Sequence, residues 1–125
     1  MKRIIQTANA PQAIGPYSQA VEINGTLYIS GQVPLSPETM KVVDGGIKEQ
    51  TLQVLKNIGA ILEAAGYSYS DVLKSTCFLS DMANFKAMNE VYATFYAENP
   101  PARAAFAVKE LPLGVLVEIE SIASK

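Results

Sequence analysis

The chain has no histidine, no tryptophan and a single cysteine, Cys77. Without imidazole there is no Ser–His–Asp triad, no Cys–His dyad and none of the usual zinc sites. One thiol cannot form an intrachain disulfide, which suits a reducing compartment. Excess positive charge is missing as well: 10 Lys and Arg stand against 12 Asp and Glu, for a net charge of −2. That balance leaves no electrostatic footprint for nucleic acid. Neither GxxxxGK nor GxGxxG occurs, so the Gly-rich phosphate loops are absent. No run approaches the roughly 18 apolar residues of a membrane span. The basic start MKR is not followed by an apolar stretch of signal-peptide length. The chain reads as cytoplasmic. Catalysis by it must draw on carboxylate, arginine, tyrosine, hydroxyl or backbone groups, and neither a metal nor a cofactor is called for.

What is present is a globular composition. The 125 residues are 49% hydrophobic and 18% charged, which predicts one domain over 1–125 that buries about two-thirds of its extended surface. The slightly apolar balance points to a buried subunit contact. No internal repeat, low-complexity tract or linker interrupts the chain. Strands are expected at 3–7, 17–23 and 26–31, with Asn24-Gly25 as a two-residue hairpin signal. A helix is expected over 46–65, its apolar positions Ile47, Thr51, Val54, Leu55, Ile58, Ile61, Leu62 and Ala65 at helical spacing. Gly66 stands where a left-handed cap belongs. A strand at 71–80 follows. The second helix, 82–98, carries the stripe Phe85, Met88, Val91, Tyr92, Phe95 and Tyr96 behind Asp81 as N-cap. Strands at 103–109 and 115–123 close the chain. The order βββαβαββ predicts an α+β fold with both helices on one face of a mixed sheet.

Side chains alternate along a strand. Read as a hairpin joined by Glu110–Leu113, the last two strands set Ala105 opposite Glu118. Phe106 and Val108, with Val117 and Ile119, then face the helices. Arg103, Ala105, Glu118 and Glu120 gather on the other face. Alternation alone leaves two readings of this group: a surface ion pair worth about 0–1 kcal/mol, or a polar notch of pocket size.

The runs NAPQAIGPYSQA (9–20), YISGQVP (28–34), EAAG (63–66), NFKAMNEVYATFY (84–96) and PARAAFAVKELPLGVLVEIE (101–120) resemble the reactive intermediate deaminase family (Rid, YjgF-type), in its RidA-like branch. The likeness extends over essentially the whole chain. It implies a chorismate-mutase-like fold, assembled as a homotrimeric barrel with ligand clefts between subunits. It also implies hydrolysis of 2-aminoacrylate, 2-iminobutyrate and related enamines or imines to 2-keto acids and ammonia.

By that resemblance Arg103, in PAR, matches the arginine that forks onto the substrate carboxylate, a bidentate contact that lysine cannot reproduce. Glu118, in VEIE, matches the glutamate that orients or activates water. Tyr17 matches the aromatic residue lining the cleft from the neighbouring subunit. Gly31 matches a glycine whose backbone lies at the ligand, and Asn89 the helix asparagine associated with the site. At position 105 the family often carries cysteine; Ala105 removes that thiol but leaves its backbone able to meet ligand. Each residue also has a plainer reading. Tyr17 can be a half-buried strand residue, Gly31 a turn, Asn89 helix surface and Glu120 rim support. Cys77 reads as a buried small hydrophobe, and Met82 and Met88 as packing. Three other functions stay open: a non-catalytic module that binds small carboxylates or a partner protein, an RNA-interacting trimer, and a chorismate mutase.

Overall fold

Local sequence explains most elements of the computed structural model, which describes residues 1–125. Strands β1 (Arg3–Ile5), β2 (Ala20–Ile23) and β3 (Thr26–Gln32) come first. Asn24 and Gly25 join β2 to β3 with φ of 51° and 77°, the positive values that a tight hairpin turn demands. Helix α1 (Ile47–Ala65) begins where the Glu49 carboxylate accepts the Gly46 N–H at 2.8 Å. It ends at Gly66 in the left-handed conformation. Strand β4 (Val72–Leu79), helix α2 (Phe85–Phe95), β5 (Ala102–Ala107) and β6 (Val117–Ser124) complete the order βββαβαββ.

Helix α2 is shorter than the periodicity suggests, because Met82–Asn84 forms a separate 3₁₀ turn. Asp81 caps that turn, accepting the Ala83 N–H at 2.8 Å. Met82 is exposed whereas Met88 is fully buried. Strand β2 starts three residues later than expected: the Tyr17 N–H donates to the Gly15 carbonyl at 2.8 Å, holding residues 15–17 in a turn.

The six strands form one mixed sheet in the order β1-β2-β3-β6-β4-β5. Only β4 and β5 run parallel. The expected hairpin of the last two strands is therefore overturned. Strand β4 lies between them, with Cys77 in register with Ala105 on one side and Ile119 on the other. Ala105 does not face Glu118.

Both helices pack on one sheet face. Their buried Leu55, Ile58, Leu62 and Met88 meet Leu27, Cys77, Leu79, Val117 and Ile119 in one core. Burial of this kind contributes about 25 cal/mol per Å² of apolar surface. The opposite face has no covering element in the chain. In-register neighbours Ile4, Val21, Tyr28 and Ile122 form an apolar row across it. Phe106 also lies there, in register with Phe78 and edge-on to it at 5.4 Å, instead of facing the helices. No helix is long and apolar enough to cross a membrane.

Candidate active site

Strand β3 breaks register against β6 between Ile29 and Gln32. Such a bulge adds a residue and bends the strand, and here it opens space at Ser30 and Gly31. Glu118 fills that space. A Cβ built on Gly31 would run into the Glu118 carboxylate, so the glycine is what lets this side chain lie against β3. The carboxylate sits in a cleft of about 630 Å³ lined in part by Tyr17, Gly31, Gln32, Leu113 and Glu120. No lysine or arginine lines it. Burial first, and the neighbouring Glu120 charge second, raise the Glu118 carboxyl above the usual carboxylate range. A carboxyl so shifted is suited to passing protons.

The walls of this cleft are loops, and buried amide side chains hold them. Gln19 donates to the carbonyls of Thr7, Ala10 and Pro11 at 3.0, 3.3 and 2.8 Å, and accepts the Thr7 N–H at 2.7 Å. Asn57 of α1 donates to the Val33 and Leu35 carbonyls at 3.2 and 3.0 Å. Gln50, about two turns earlier on α1, accepts the Leu116 N–H at 2.8 Å. Buried loop backbone needs such partners. Sequence reasoning missed all three. Polar residues on an otherwise apolar helix stripe were the available signal for Gln50 and Asn57.

Arg103 lies elsewhere. It is in register with Ser75, whose side chain is buried toward the helices, so its guanidinium reaches α2. There Nη1 donates to Asn89 Oδ1 at 2.7 Å. The same guanidinium lies 4.8 Å from the Tyr92 ring centroid and 5.5 Å from that of Phe85. A groove of about 370 Å³ passes over it, lined by Asn89, Tyr92, Tyr96, Pro100, Pro101 and Arg103 among others, none of them acidic.

The structure thus divides the expected site. Tyr17, Gly31 and Glu118 share one cleft, and Arg103 and Asn89 share another. Within one chain Arg103 does not meet Glu118 or Glu120, contrary to the hairpin reading, because the two carboxylates point to the uncovered face. Ala105 is part-buried against the core. Cys77 is fully buried, and burial pushes its thiol up to about 11, leaving it inert as a nucleophile. No three His, Cys, Asp or Glu side chains gather where they could hold a metal ion.

Comparison with known proteins places this arrangement in a family. Residues 7–125 match the family model described as Endoribonuclease L-PSP. A RutC family protein of Pyrococcus horikoshii is 57% identical, over 100% of this chain and 99% of its own length. The 2-iminobutanoate/2-iminopropanoate deaminase of Mus musculus is 50% identical, over 98% of this chain and 91% of that protein. RidA from the Antarctic bacterium Psychrobacter sp. superposes with a TM-score of 0.95 at 50% identity, over 98% of this chain and 99% of that one. Sequence, backbone and motifs agree over nearly the whole length, and the chain belongs to the Endoribonuclease L-PSP family, the reactive intermediate deaminase (Rid, YjgF-type) family that its motifs resemble.

Proposed function

We propose that the protein is an enamine and imine deaminase whose active site is completed by a second copy of the chain in a homotrimer. The observation that carries this reading is the division of charge. The Glu118 cleft holds no cation and the Arg103 groove holds no acid. A small 2-imino acid needs both a cation for its carboxylate and a proton-transfer group at its reacting carbon. Joining the two clefts between copies supplies both. The uncovered sheet face supports association, since an apolar row of this extent on a free monomer is unusual. The mouse relative bearing the deaminase name supports the reaction class.

In this reading Arg103 binds the substrate carboxylate through two parallel hydrogen bonds. Glu118, its proton held more tightly than in an ordinary carboxylic acid, protonates the terminal carbon of 2-aminoacrylate and yields the iminium ion, the protonated form of the imine. As carboxylate it then takes a proton from water as the oxygen adds to the imine carbon. Glu118 then passes that proton to the nitrogen of the carbinolamine. The carbon–nitrogen bond breaks as the hydroxyl becomes the carbonyl and returns its proton to the Glu118 carboxylate, and ammonia and the 2-keto acid leave. General acid–base help of this type is worth about 10²–10⁴-fold. Tyr17 and the Gly31 backbone bound the cleft around the reacting carbon.

The test adds protein to a threonine or serine dehydratase reaction containing semicarbazide, which traps the imine. Wild-type protein lowers the semicarbazone signal in proportion to its concentration, and Arg103→Ala does not. Unchanged trapping with both substrates would leave a carboxylate-binding module as the better description.

A further inference from the structure

Three residues of α2 touch the Arg103 guanidinium, and their spacing is helical. Phe85, Asn89 and Tyr92 lie four and then three residues apart, so they share one face. Seven residues of helix rise about 10.5 Å. The two rings do not stack on each other, and each meets the cation separately. Both centroids lie within 6 Å of the guanidinium carbon, at 4.8 and 5.5 Å, where the negative ring face attracts it. Asn89 Oδ1, from the turn between them in sequence, accepts the Nη1 N–H at 2.7 Å.

Tyr92 is the buried member of this set, only 4% exposed. Its hydroxyl lies toward Ser75 on the core side, with no partner inside hydrogen-bond distance. Its contact with Arg103 owes nothing to the hydroxyl. Its ring contributes, one side in the core and the other against Arg103. Burial raises the phenol above its ordinary value, so it stays neutral and supplies no competing anion.

We propose that Tyr92, together with Phe85, is a positioning residue that holds the guanidinium of Arg103 in place. Asn89 occupies Nη1, and the remaining N–H edge is left for a substrate carboxylate. The inference rests on Arg103 as the carboxylate binder. Its physical basis is preorganisation. Arg103 is exposed on β5, the edge strand of the sheet, where a long side chain would otherwise sample many rotamers. Ordering it in advance lowers what substrate binding must supply.

The experiment measures kcat and KM for imine hydrolysis, with thermal unfolding, in Tyr92→Phe, Tyr92→Leu, Phe85→Leu and Arg103→Ala. Tyr92→Leu is expected to raise KM about three- to tenfold with a smaller change in kcat. Tyr92→Phe keeps the ring and is expected to keep the wild-type KM. Phe85→Leu gives a smaller KM rise and serves if Tyr92→Leu does not fold. A folded Tyr92→Leu with wild-type KM, or a Tyr92→Phe as impaired as the leucine variant, overturns the proposal. The parent reading fails separately: full activity in Arg103→Ala removes the carboxylate role, whereas loss there beside an unaffected Tyr92→Leu removes only the positioning role.

Discussion

Arg103 and Glu118 extend from opposite faces of one sheet, with β4 between their strands. Arg103 is in register with Ser75 and Glu118 with Phe78, an odd and an even position of β4 whose side chains point to opposite faces. A reaction needing both groups must take them from different copies. Mixing Arg103→Ala with Glu118→Gln chains should therefore restore activity that neither variant has alone. Random mixing in a cyclic trimer leaves about a quarter of the sites with both groups intact. Imine hydrolysis by co-refolded variants checks this, and no recovery would place both groups of each site in one chain.

Glu118 should trade stability for activity. The folded chain holds the Glu118 proton more tightly than the unfolded chain, because burial and then Glu120 disfavour its charge. Between the ordinary carboxylate value and the raised one, the folded state binds more protons. Stability therefore falls as pH rises through that window. Glu118→Gln should unfold at a higher temperature than wild type at neutral pH. The two should converge below the ordinary carboxylate range. Hydrolysis by the same variant should fall about 10²–10⁴-fold.

Gly31→Ala should separate folding from catalysis. The residue does not have the positive φ of Gly25 or Gly66, so its backbone accepts alanine. The added methyl would displace the Glu118 carboxylate, the far end of a flexible side chain. A displacement of about 1 Å at a reacting group can lower the rate about 10²-fold. The unfolding midpoint should stay near wild type while kcat drops.

Gln19→Ala should loosen the N-terminal wall of the cleft. It removes four contacts to the backbone of residues 7–11 from a side chain that is buried. Leaving buried carbonyls without donors costs about 2–4 kcal/mol in total. Chemical denaturation should show that loss. Amide exchange in residues 7–14 should accelerate more than in α1.

The helices and the element order were legible because their signals are local. The spacing from Ile47 to Ala65 sets a helical face, Gly66 stops it, and Asn24-Gly25 turns the chain without reference to distant residues. The motif resemblance likewise needed only the order of residues along the chain. Strand pairing in the last third was not legible. ARAAFA carries one large apolar residue, so its alternation barely distinguishes the two faces. Adjacency in the chain favoured a hairpin.

By itself the sequence determined which chemistries were closed, where the helices lie and which family the motifs match, since composition and short-range patterns encode all three. Tertiary structure alone decided that β4 enters between β5 and β6, that Phe106 turns to Phe78, and that Arg103 packs against two rings of α2 while Glu118 faces the other way. Those outcomes depend on competition among distant strands for partners and for the helix-covered face. No window along the chain contains that competition.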